Sequence, residues 1–109
     1  MSDSDEYRES RRESLVETAK AVINGDIGII LGSRQIHAYR FDLADDLDDD
    51  FSLFIGVDSQ TDHLPVDEER RNWSSEALSR KDLEIAEAEE FFKDDVLAAC
   101  RKLIARFGK

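Results

Sequence analysis

From Ser74 to Gly108 the apolar residues return every three or four positions. Ile85, Phe92, Val96, Ala99, Leu103 and Phe107 fall on one stripe of a helix. Ser74 is a good N-cap, and Trp73 before it with Leu78 four positions in has the spacing of a hydrophobic staple. Glu76 with Arg80 and Glu89 with Lys93 are i,i+4 pairs in the favourable order. Arg101, Lys102 and Arg106 occupy the last turns, where positive charge suits the macrodipole, and Gly108 follows as a stop. A helix over 75–107 is about 50 Å long at 1.5 Å per residue. With 109 residues in all, the chain has one domain's worth of material to set against such a spine. A break is expected at Lys93-Asp94-Asp95, since Asp can cap a second helix there.

Upstream, Ser10 with Glu13 and Ser14 with Glu17 form two overlapping capping boxes. Leu15, Val16, Ala19, Val22 and Ile23 then recur at helical spacing, and Asn24-Gly25 stops the helix. Residues 1–9 are polar and acidic and read as a disordered tail, which leaves 10–109 as a single helical domain. Residues 26–41 admit two readings. As a helix, Asp26 caps it and Ile27, Ile30, Leu31, Ala38 and Phe41 share a broad face, although Gly28 and Gly32 each cost up to about 1 kcal/mol. As strands, Ile27–Leu31 turns at Gly32-Ser33, Arg34–Phe41 returns, and Phe51–Val57 is a third strand. The helical reading is preferred. The expected fold is therefore all-α, a small domain of three to five helices with a long C-terminal helix. The alternative is α+β, with a short antiparallel meander at 27–57. Pro65 and its polar neighbours make 58–72 a connecting loop.

Charge narrows the partners. Charged residues make up 38% of the chain and the formal net charge is -11. Such a field repels nucleic acid and anionic membranes and attracts basic proteins. Residues 42–50 concentrate it, with six aspartates and no base, as a loop or the start of a helix. Cys100, the single cysteine, leaves no intrachain disulfide. It lies beside the apolar stripe, so a buried inert thiol is expected; a reactive one needs an electropositive site, to which Arg101 and Lys102 contribute. No apolar N-terminal segment and no run of roughly 18 apolar residues is present. The expectation is a cytoplasmic protein with neither membrane nor nucleic-acid partners.

Three functions compete. The first is a non-enzymatic acidic domain that docks or neutralises a basic protein, in the manner of an immunity protein against a basic nuclease. Its surface is drawn from Asp42, Asp45, Asp46, Asp48, Asp49 and Asp50 and from the Glu84-Glu87-Glu90 face, with Arg70 and Trp73 as anchors of the kind that dominate interfaces. Trp73 also has the bland reading of a helix staple. The second is a small hydrolase or metal-assisted enzyme built on Asp58, Asp62 and His63. Against it, residues so close in sequence rarely face one another, no nucleophile elbow is present, and Ser59, Thr61 and Asp62 commonly bond their own loop backbone. The third is a homo-oligomeric structural subunit that pairs through Phe91-Phe92. Neither metal nor cofactor is expected. His37 and His63 lack a His or Cys at i,i+3 or i,i+4, and both calcium-like runs, Asp46–Asp50 and Asp58–Glu69, lack the turn glycine. Gly25, Gly28 and Gly32 match no phosphate-binding fingerprint.

Three stretches resemble a family of small uncharacterised bacterial helical proteins. They are Gly32-Ser33-Arg34, the run Val57-Asp58-Ser59-Gln60-Thr61-Asp62-His63-Leu64-Pro65, and Trp73-Ser74 with the helix ending Ala98-Ala99-Cys100-Arg101-Lys102-Leu103-Ile104. The resemblance covers most of the chain after Ser14 and implies a helical fold. That family is associated with glutamate where this chain has Gln60, so one carboxylate of the loop is missing here.

Overall fold

A computed structural model of the chain describes residues 3–43 and 48–108. Four helices follow one another: α1 (Asp3–Asn24), α2 (Ile29–Leu43), α3 (Ser52–Thr61) and α4 (Ser75–Phe107). One 3-10 turn, Asp49–Phe51, leads into α3, and a second, Glu68–Asn72, precedes α4. Among the described residues there is no strand, so the all-α expectation holds and the meander at 27–57 does not form.

The reason lies at Gly32. It makes no turn; it sits buried inside α2, where a Cβ would collide with Val22 Cγ2 of α1. The glycine lets two backbones approach, and burial there outweighs its poor helix propensity. The next residue, Ser33, is also buried, and its hydroxyl donates to the Ile29 carbonyl one turn back at 2.7 Å.

Helix α1 starts earlier than its capping boxes predict. Residues 3–9 form its first turns, and Ser10 and Ser14 lie in its interior. Partners from distant segments hold this end: Arg8 donates to the Leu43 carbonyl at 3.2 Å, and Arg12 to the Phe107 carbonyl. The other end is the stop that Asn24-Gly25 predicts. Gly25 has φ +80°, its N–H donates to Val22 O at 3.1 Å, and Asp26 N–H donates to Ala21 O at 2.9 Å, the paired bonds of a Schellman motif.

Helix α2 begins at Ile29, three residues after the expected cap Asp26. The cap comes instead from α4: Glu89 Oε2 accepts the Ile30 N–H at 3.2 Å. The carboxylate meets the positive end of the α2 dipole. Gly28 makes room, since a Cβ there would lie 2.7 Å from the same oxygen. Glu89 thus forms no pair with Lys93, whereas the Glu76–Arg80 pair is present at 3.5 Å.

Helix α4 runs unbroken for 33 residues. Ser74 caps it by accepting the Ala77 N–H at 3.1 Å, as its position predicts. The expected break at Lys93-Asp94-Asp95 is absent because all three residues are exposed, so their side chains reach water without leaving the helix.

The end-to-end pairs give the topology. α1 lies antiparallel to α2 and α4, and α3 runs antiparallel to α2 and α4, an up-down-up-down bundle. Leu15, Ala19, Ile36, Phe51, Phe54, Val57, Val96 and Leu103 form the core. Phe51–Val57 is therefore a buried helical segment rather than a strand. Cys100 is buried with them, and burial pushes its thiol up to about 11. The expectation that this cysteine is buried holds. No described helix is long and apolar enough to cross a membrane.

Candidate functional site

The residues singled out around 58–65 do come into a polar cluster, but not the one their spacing offers. Its centre is Arg34 of α2. The guanidinium donates to the Thr61 carbonyl at 2.5 Å, to the Leu64 carbonyl at 2.7 Å and to Glu69 Oε1 at 3.0 Å. Its Nε faces Asp58 Oδ1 at 3.7 Å. The other oxygen of Asp58 lies 2.7 Å from His37 Nδ1. Glu69 is held below the usual carboxylate range by its own backbone N–H first, then by the Val66 N–H and Arg34. Thr61 is buried and donates to Val57 O at 2.6 Å, and Leu64 and Pro65 are buried beside it. The planar fork of Arg34 thus closes the C-terminal end of α3, where carbonyls lack partners within the helix.

Asp58, Asp62 and His63 do not converge. Asp58 belongs to Arg34 and His37. Asp62 is exposed at the end of α3. His63 reaches α4, with Nε2 3.2 Å from Glu84 Oε2, and this contact holds Glu84 below its usual range. No set of nucleophile, base and orienting group results. Among the described residues no group of three or more His, Cys, Asp or Glu is placed to hold a metal. The His37–Asp58 pair and the Arg34 fork were not visible as pairs in the sequence, because each joins residues more than twenty positions apart. The one signal available was that polar residues inside apolar surroundings need partners.

The acidic stretch is largely occupied by the protein's own arginines. Asp42 pairs with Arg11 at 3.0 Å. Asp48 and Asp50 pair with Arg106 at 2.7 and 2.9 Å, and Arg106 holds Asp48 below its usual range. Asp48 also caps the 3-10 turn by accepting the Asp50 N–H at 3.1 Å. Asp49 is exposed. Asp45 and Asp46 lie outside the described residues. Of the two anchors, Arg70 is committed, with two bonds to Asp82 at 2.8 and 3.2 Å and one to the Pro65 carbonyl at 3.0 Å. Trp73 is half-buried at the staple position before the α4 cap.

The amino-terminal half of α4 presents an open surface. The buried residues of this helix, Val96, Cys100 and Leu103, all lie in its other half. The molecule is 52 Å long and 27 by 26 Å across, so α4 spans its full length. Here Leu83 is 69% exposed and Phe91 77%. Glu87, Glu90 and Asp94 stand exposed beside them and form no ion pair among the described residues. Along one flank of this half, α4 and the α1–α2 turn border an open cleft of about 500 Å³.

No family model, characterised protein or solved structure matches the chain.

Proposed function

We propose that the protein is a non-enzymatic docking module for a basic protein partner, and that it docks through the amino-terminal half of α4. The observation that carries this reading is the pairing of exposed Leu83 and Phe91 with unpaired Glu87, Glu90 and Asp94 on one helix. Isolated exposed apolar residues are ordinary, but large ones set among uncompensated charge form a surface that a cationic, amphipathic partner completes. The aspartates of 42–50 contribute less than their number implies, because Asp42, Asp48 and Asp50 already have internal cations. Neutralisation of a basic toxin is one form such docking takes. Pairing of α4 with a second copy is disfavoured, since it sets like charges against each other at a net charge of -11 per chain.

The test compares the wild type with L83D/F91D and with D49N as immobilised baits at low and high salt. The expected result is a basic protein held in stoichiometric amount by the wild type and D49N, released by salt and lost with L83D/F91D. Equal retention by all three baits overturns the assignment to α4.

A further inference from the structure

Resting on that docking reading, we infer that the cleft between α4 and the α1–α2 turn receives an arginine or lysine side chain of the partner. Part of its wall is aliphatic, made by Ile23, Ile27 and Ile29 from the α1 end and the α2 start, and by Leu97 from α4. Its volume of about 500 Å³ falls in the range of built ligand pockets, about 300–1,000 Å³. An aliphatic ligand alone does not suit it, because Glu89 and Glu90 line it as well. Glu89 is engaged by the Ile30 N–H at 3.2 Å, which leaves Glu90 as the carboxylate open to a ligand. Glu90 is exposed and makes no ion pair among the described residues.

A long methylene stem with a cationic head matches both features at once. The stem covers the isoleucines, and the head meets the unpaired carboxylate of Glu90. Lys93 also lines the cleft and opposes this, so the head is directed to the Glu90 side. The cleft adjoins the proposed docking surface. Leu83, Ala86 and Glu90 are spaced i, i+3 and i+7 on α4, so a partner lying over Leu83 passes directly above the cleft mouth. Gly28 matters here too, because without it Glu89 would lose the position that carries its charge into the cleft.

The probe is N-acetyl-arginine methylamide, with the norleucine analogue as its uncharged counterpart, titrated into the full chain by amide NMR. The expected result is saturable shifts at Gly25, Ile27 and Gly28 with the arginine probe alone. Glu90→Gln weakens binding about fivefold, Lys93→Gln tightens it, and Glu87→Gln, the same charge change outside the cleft, leaves it unchanged. Absence of saturation, equal binding of norleucine, or equal effects of E90Q and E87Q overturns the inference. The two readings fail separately. L83D/F91D leaves the cleft intact, so cleft binding without any partner sensitive to L83D/F91D sinks the docking reading alone. A partner that is lost with L83D/F91D but retained when Ala86→Trp fills the cleft sinks the anchor alone.

Discussion

Arg34 ties three segments of the chain together. Its guanidinium joins α2 to the end of α3 and to the 3-10 turn before α4 through bonds to Thr61, Leu64 and Glu69. Arg34→Met keeps the stem and removes the fork, which takes the donor from the Leu64 carbonyl, whereas the Thr61 carbonyl keeps the Leu64 N–H at 3.0 Å. We expect a loss of about 2 kcal/mol in urea unfolding, from the charge-assisted bonds and the one carbonyl stranded by their removal. Arg34→Lys recovers only part of this, because a single ammonium cannot reproduce the fork. A second prediction concerns Cys100, whose thiol is pushed up to about 11 by burial. The thiolate is the reactive form, so a disulfide reagent at neutral pH should modify native protein far more slowly than unfolded protein. Rapid modification of the folded chain would show that the α4 packing around Val96 and Leu103 opens readily.

Among the elements, α4 was legible because its signal is local: a cap at Ser74, a stripe of constant period and a stop. What misled was Lys93-Asp94-Asp95, since aspartate signals a cap only when its side chain turns to the backbone, and exposure decides that. Helix α2 was the hardest to read for the opposite reason. Its glycines weaken any local helix signal, while their purpose is tertiary: Gly32 admits Val22, and Gly28 admits the Glu89 that caps the helix from another element. The polar residues near 58–65 were legible as a group, but 58–61 belong to α3 rather than to the connecting loop expected over 58–72, and their partners Arg34 and His37 lie on α2, to which no local pattern points. Gly32→Ala puts two effects in competition. Alanine gains about 1 kcal/mol of helix propensity. Its methyl must displace Val22 in the core, which costs about 1–3 kcal/mol. The packing term wins, so we expect a net loss of stability in thermal unfolding. A stabilised G32A would mean that the α1–α2 contact is looser than its geometry implies.

At the scale of the whole molecule, two electrostatic effects oppose each other, self-repulsion and internal ion pairing. A net charge of -11 makes the compact state repel itself. The paired carboxylates act the other way, and they set the response to acid. Asp48 is lowered chiefly by Arg106, Asp82 by Arg70 and Glu84 by His63, while Glu69 is lowered chiefly by backbone N–H. A carboxylate whose folded value lies below its unfolded one stabilises the fold fully above the unfolded value, about 4. That contribution disappears as pH drops through the lowered folded value, so the acid limb falls below about pH 4. Arg106→Met separates the two effects, because it frees Asp48 and Asp50 without touching the α4 acidic face. In thermal unfolding followed from pH 7 to pH 2, we expect this variant to lose stability near neutrality and to show a shallower acid limb. If its acid limb stayed parallel to that of the wild type, the Arg106 pairs would not be what ties the 3-10 turn to the end of α4.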